Sequence, residues 1–476
     1  MIDSAVLSRI DAYLSAHKDE IVRDLFSLVR IPSVKAEAEE GAPFGKACRD
    51  ALNAALAMFE GYGISGRVMS EGKYGLATYG GEGKKIGIFT HLDVVPVVDD
   101  WCYNAPFAPA EHDGVLVGRG VHDNKAGAIM ALYALRAIRE LGLPFASTAE
   151  VFFGTDEESG MEDIDAYARE CPMPHVSLVP DNAYPVCLGE KGIYHMGVRA
   201  SRPFRQILSF EGGVAVNVIL GEATVRLGYD AALHGELQAA IADDPAYTLA
   251  LDNGVLSLSA KGVTAHGSMP EGSLNAAKLL CRALLACQSI CAADREILSA
   301  YAQILSDDYG ASLGIDSVDP HFGKTTATCG MVSVREGRLD FTLDIRYGTV
   351  MSGDAVESAV AEKLSSLGLA AEWGENREGF SISEDSPAAK ALMDTYRQLS
   401  GQTQLRPIYS GGGTYARHLK NAFSMGCEAP YKKKSLPMQA GHGEVHQSDE
   451  QISLEGLLES IRLFTVMLLS VSSSIA

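Results

Sequence analysis

Histidines and carboxylates placed just after apolar runs are the residues best suited to hold divalent metal ions and to move protons. His91-Leu92-Asp93 follows the strand-like run 84–90, and Thr155-Asp156-Glu157-Glu158 follows a second run at 148–153. Because side chains alternate across a strand, His91 and Asp93 point to one side. The Asp93 carboxylate can then accept the proton on the imidazole nitrogen that faces away from a metal. Between these groups lies Gly118-Arg119-Gly120-Val121-His122-Asp123-Asn124-Lys125, a Gly-rich charged loop in which Asp123 is a further candidate ligand. A third run, 176–179, ends at Pro180-Asp181-Asn182. An unligated carboxylate beside such a site can take a proton from water and pass it to a leaving amine, which is the chemistry of metal-assisted hydrolysis.

Three successive strand ends thus deliver His, Glu and Asp to one rim of a sheet, where ligands of α/β sheets bind. The apolar periodicity predicts helices over 4–29, 44–62, 126–141, 386–400 and 452–469, with Pro32 stopping the first. Strands alternating with helices up to residue 189 argue for an α/β fold whose mostly parallel sheet is flanked by helices. From 190 to 382 the pattern changes to Val, Leu, Thr and Ser runs, with strands predicted at 254–263, 331–334 and 339–347 and a helix at 274–291. That stretch reads as an inserted α+β domain. Residues 383–476 return to the first pattern, so 1–189 and 383–476 read as one discontinuous domain.

A chain of 476 residues is too long for one ordinary core, which agrees with two domains. Its formal charge of −21 argues against nucleic acid or an anionic membrane as partner, because such surfaces are bound by Lys and Arg patches. Nine cysteines lie scattered without Cys-x-x-Cys spacing, as suits a reducing cytosol. No leader-like start and no long uncharged apolar stretch is seen, so a cytoplasmic protein is expected. Gly411-Gly412-Gly413-Thr414 lacks the Gly-Lys-Ser/Thr end of a phosphate loop.

Taken in order, His91-Leu92-Asp93, Gly118-Arg119-Gly120 with Asp123, Asp156-Glu157-Glu158, Asp181, Gly411 to Arg417 and the late His446 resemble the motifs of the dinuclear zinc exopeptidases. That family includes aminoacylase-1, acetylornithine deacetylase and glutamate carboxypeptidase, and the likeness is greatest to its dipeptidase V branch. The resemblance implies two divalent metal ions, zinc first, with manganese or cobalt as alternatives. It implies that His91 and Asp181 bind one ion, Glu158 and His446 the other, and Asp123 both. Glu157 would be the general base and Asp93 would orient His91. Two divalent cations against three ligand carboxylates leave one positive charge, which a bridging hydroxide would neutralise. His112, His122, His175 and His442 are read as standing outside the ligand set. The family often has Asp where this chain has Asn124, and the bond after the bridging Asp is cis in the family.

In the inserted domain, Thr264-Ala265-His266-Gly267 resembles the family's lid histidine motif and Asp344-Ile345-Arg346-Tyr347 its substrate-carboxylate arginine. The resemblance implies that His266, helped by Asn217, donates to the developing oxyanion and that Arg346 grips a carboxylate. Backbone amides of Gly412 and Gly413 could meet the same carboxylate. The large insertion implies a self-sufficient monomer acting on a small peptide. Dipeptide hydrolysis is the leading expectation, a deacylase of N-acyl amino acids the alternative, and a metal-binding protein without turnover the third.

Overall fold

The apolar runs that end at candidate ligands are neighbouring strands. The computed structural model describes residues 3–242 and 244–475, and the chain divides into two compact units. The first comprises Met1–Gly189, Ile382–Ile408 and Thr414–Ala476; the second comprises Glu190–Ser381 with Tyr409–Gly413. Residues 409–413 therefore leave the segment 383–476 to which their pattern assigns them. The reason is local: Lys191 N donates to Ser410 O at 2.9 Å, and Tyr409 stacks on His321 at 4.3 Å.

In the first unit, Lys85–His91 lies between Thr148–Gly154 and Val176–Val179, and Ala422–Ser424 follows on the far side, all parallel. Gly66–Met69 and Tyr74–Gly80 extend one edge, and Cys187–Glu190 extends the other, all antiparallel to their neighbours. The sheet is thus mixed, parallel at its centre where the strand ends carry the site. These strands are buried on both faces and so read as continuous apolar runs. Helix Lys125–Glu140 is buried along its length from Lys125 to Ile138. The Lys125 ammonium donates to the carbonyls of Leu28 and Ile31, at 3.1 and 2.8 Å, where helix Lys18–Val29 ends. Burial lowers the Lys125 pKa to about 7, while the negative end of that helix favours the charged form.

The single helix expected over 4–29 is two, Ser4–Ala16 and Lys18–Val29. His17 separates them: its ring stacks on Tyr13 at 4.1 Å, and Nδ1 lies 2.8 Å from the Tyr13 carbonyl oxygen. A side chain thus takes a last-turn carbonyl, and the apolar periodicity runs through the break unchanged. Asp19 and Glu20 then occupy the first turn of the next helix, complementing its dipole.

The second unit is an eight-stranded antiparallel sheet in the order 247–252, 255–261, 222–228, 207–212, 326–335, 338–347, 192–200, 369–377. Its apolar face packs helices Ala276–Ala286 and Ala292–Ile304 around Leu280, Leu284, Leu298 and Tyr301. The helix expected over 274–291 is therefore shorter, starting where the Asn275 side chain accepts from Ala277 N at 2.9 Å, and the helix after it has no counterpart among the expected elements.

Candidate metal centre

Parallel register brings the ligand types together. His91 is paired with Gly154, and Leu92 N donates to Gly154 O at 2.9 Å, so Asp93 and the run 155–158 leave adjacent strands side by side. Asp181 follows the neighbouring strand, and Asp123 precedes helix Lys125–Glu140. His446 arrives from a loop with φ of +65°.

Asp123 is the hub. His91 Nε2 lies 3.0 Å from its Oδ1, and His446 Nε2 lies 3.0 Å from its Oδ2. His446 Nε2 is also 3.1 Å from Glu158 Oε2, and His91 Nε2 is 3.6 Å from Asp181 Oδ2. His91, Asp123 and Glu158 form one group whose ligand atoms lie within 4.8 Å of one another, and His91, Glu157 and Asp181 form another. All six residues expected to serve as ligands or base are thus brought together in the first unit.

Asp93 reaches His91 more closely through its backbone than through its carboxylate. His91 Nδ1 meets the backbone carbonyl of Asp93 at 3.0 Å, while the Asp93 carboxylate is 3.6 Å away. That carboxylate instead accepts the backbone N–H groups of Glu157 and Glu158, at 3.2 and 3.1 Å. The imidazole is still oriented through its second nitrogen, as metal-binding histidines are. The carboxylate fixes the run that carries Glu157 and Glu158. The Asp123–Asn124 bond is cis, and the Asn124 amide donates to Asp181 Oδ1 at 3.2 Å. An aspartate in place of Asn124 offers no N–H there.

Four carboxylates crowd against two imidazoles, and the protonation balance reflects it. Burial works against a charged His91, yet Asp181 and Asp123 hold its pKa well above the ordinary imidazole value. Hydrogen bonds that the ring donates to the Asp123 and Glu158 carboxylates push His446 up to about 11. Burial, then the Asp123 charge, raises Glu158 to about 7, and burial with the Asp181 charge raises Glu157 well above the usual carboxylate range. Burial also opposes ionisation of Asp123, but the two histidines hold its pKa low. The centre is short of positive charge. Carboxylate oxygens with imidazole nitrogens match the preferences of zinc, manganese or cobalt, so the donor set fits divalent cations. A cavity of about 240 Å³, lined by His122, Asp123, Asp181, Glu444 and Val445 among others, adjoins it.

Arg119 of the Gly-rich motif has a partner that the sequence motifs do not mark. Buried Glu450 accepts from Arg119 Nη1 at 2.7 Å and from the backbone N–H groups of Gly120, His122 and Asp123 at 3.0–3.2 Å. Arg119 Nη2 reaches His446 O at 3.3 Å. The pair fastens the loop bearing Asp123 to the loop bearing His446. Gly120 sits at φ +87°, and a Cβ there would come within 2.9 Å of Val94 Cγ1, so only glycine suits this bend. No spacing rule joins Arg119 to Glu450, 331 residues later.

The second unit holds its own expected residues. Arg346 is buried, with Nε and Nη2 donating to Asp344 at 2.6 and 3.2 Å and Nη1 donating to Gly411 O at 3.0 Å. Asn217 lies beside the segment bearing His266, since Gly267 N donates to Asn217 O at 2.8 Å and Val218 is bridged to His266. His266 Nδ1 lies 2.8 Å from Ser268 Oγ and 3.2 Å from Ser268 N, so the Ser268 turn orients the ring. Gly412 N donates to Ser410 Oγ at 3.0 Å, so this amide is already engaged rather than presented to a carboxylate; Gly413 ends the same segment.

A family model described as peptidase family M20/M25/M40 matches residues 87–470. A Bacillus subtilis (strain 168) protein named "Putative dipeptidase YtjP" is 29% identical over 464 residues, covering 94% of this chain and 96% of that one. Among solved structures, human carnosine dipeptidase 1 superposes with a TM-score of 0.57 at 16% identity, over 98% of this chain and 100% of that one. An M20-family metallo-carboxypeptidase of Sulfolobus solfataricus gives 0.57 at 14%, over 95% and 99%. At these identities the structural likeness is one of fold.

Proposed function

The chain belongs to peptidase family M20/M25/M40 and is a hydrolase, and from this premise we propose that it cleaves the peptide bond of dipeptides at a pair of divalent cations. His91, Asp123 and Asp181 would hold one cation and Asp123, Glu158 and His446 the other, with zinc the first candidate and manganese or cobalt next. The observation that carries this reading is the division of Asp123, one oxygen to each histidine at 3.0 Å. Bound there, the cations would bring the pKa of water toward about 7 and polarise the scissile carbonyl.

The residues supply the rest. Glu157, beside His91 and Asp181, takes a proton from the attacking water and delivers it to the leaving amine. Asp93 holds the Glu157 and Glu158 backbone, so the base and the ligand keep their places. The resemblance assigns the second unit to the role of lid and His266, with Asn217 as helper, to the forming oxyanion. Arg346 binds the substrate carboxylate through its remaining N–H donors, pre-aligned by Asp344.

The dipeptidase reading draws on the names of the relatives and on the resemblance; the metal reading draws on the donor geometry. A monomeric cytoplasmic enzyme remains part of the proposal. Nine free thiols suit a reducing compartment, and no helix among the described residues is long and apolar enough to cross a membrane. The test is a panel of dipeptides, matching tripeptides and N-acetyl amino acids, offered to metal-free protein reloaded with zinc or manganese. Dipeptide turnover that a chelator abolishes is expected. Turnover confined to N-acetyl amino acids would replace the dipeptidase reading with a deacylase.

A further inference from the structure

A second cluster of ligand types lies in the first unit and shares no residue with the centre above. Cys102, His442 and Asp449 place one ligand atom each within 4.8 Å of one another. Buried Asp449 accepts from His442 Nδ1 at 2.7 Å, and from the backbone N–H groups of Cys102 and Tyr103 at 2.9–3.0 Å. Its oxygens are therefore occupied, and its effect on His442 is to fix the tautomer with a lone pair on Nε2.

That lone pair and the Cys102 sulfur converge on one donor. The exposed Gln439 side chain puts its amide nitrogen 2.6 Å from His442 Nε2 and 3.8 Å from Cys102 Sγ. Asp100 Oδ2 lies 3.5 Å from the same His442 nitrogen. A nitrogen lone pair and a thiol sulfur thus face one point now filled by an N–H group that can swing into solvent, with the Asp100 carboxylate beside the nitrogen.

We propose that Cys102 and His442 form the core of a separate site for a divalent cation of the zinc type, which the Asp100 carboxylate beside His442 joins when the ion displaces Gln439, with Asp449 behind His442 as the orienting carboxylate. Sulfur, imidazole and carboxylate together select a borderline-soft ion over calcium or magnesium, and water would complete a tetrahedron. An ion here ties residues 100–102 to the loop 439–449, which also carries His446.

The experiment compares wild-type protein with Cys102→Ser at saturating zinc, reading metal content after dialysis and alkylation of Cys102 by peptide mapping. The wild type is expected to retain one zinc more than the variant. Zinc is expected to slow labelling of Cys102 roughly tenfold or more, because a ligated thiolate is a poor nucleophile, and a chelator to restore it. Equal zinc content in both proteins, with Cys102 labelled at one rate whether or not zinc is present, would overturn the proposal. The difference between the two proteins does not depend on how many ions the Asp123 centre takes, so this site and that centre can fail separately.

Discussion

On the proposed assignment, Asp123 and Glu157 divide the work at the centre between holding charge and moving a proton. Asp123 faces both histidines, so its loss would remove the ligand proposed to be shared. Glu157 shares the site with His91 and Asp181 but is not among the residues assigned as ligands. Glu157→Ala is therefore expected to keep its metal content while kcat falls about 10²- to 10⁴-fold, the usual worth of a positioned acid–base group. Metal analysis beside steady-state kinetics checks it. For Arg346 the informative change is to Lys, because Asp344 is buried against it and needs a cation. Losing the fork forfeits a charge-assisted bond worth about 1.5–3 kcal/mol, so kcat/KM should fall roughly 10- to 100-fold with metal content unchanged. The types and order of these residues are legible in the chain. What Asp93 does is not, because a His-x-Asp spacing cannot say whether the carbonyl or the carboxylate meets the ring.

Among the elements, those marked by apolar periodicity can be read closely from the chain and those marked by side-chain bonds cannot. The strand Val176–Val179 and the helix Pro387–Ser400 lie where the pattern puts them. The break at His17 and the lock between Arg119 and Glu450 depend on side-chain hydrogen bonds that leave no period in the sequence. The lock has a measurable weight. Glu450→Gln leaves Arg119 buried without its counter-charge, and losing one partner of a buried pair costs about 3–5 kcal/mol. Calorimetry should show a lower Tm. Metal affinity should fall about 10- to 100-fold, since Glu450 orients the loop that presents Asp123. Unchanged affinity would remove Glu450 from the support of the centre.

Across the whole molecule, the ordered set of strand-end ligands is what marks the family in the amino-acid sequence, and the family model spans residues 87–470. The allocation of residues 409–413 is harder to read, because that short Gly-rich run is assigned by what it bonds, Lys191 and Arg346, and not by its own pattern. The proposed pair of cations sharing Asp123 makes a specific demand on the intact protein. The most direct measurement is dipeptide hydrolysis by metal-free protein titrated with zinc, followed against equivalents added. Activity should be absent at the start, rise as cation is added and reach its plateau once the Asp123 centre holds two ions. Full activity in the metal-free protein, or a plateau at one ion that a second leaves unchanged, would contradict a dinuclear hydrolytic centre.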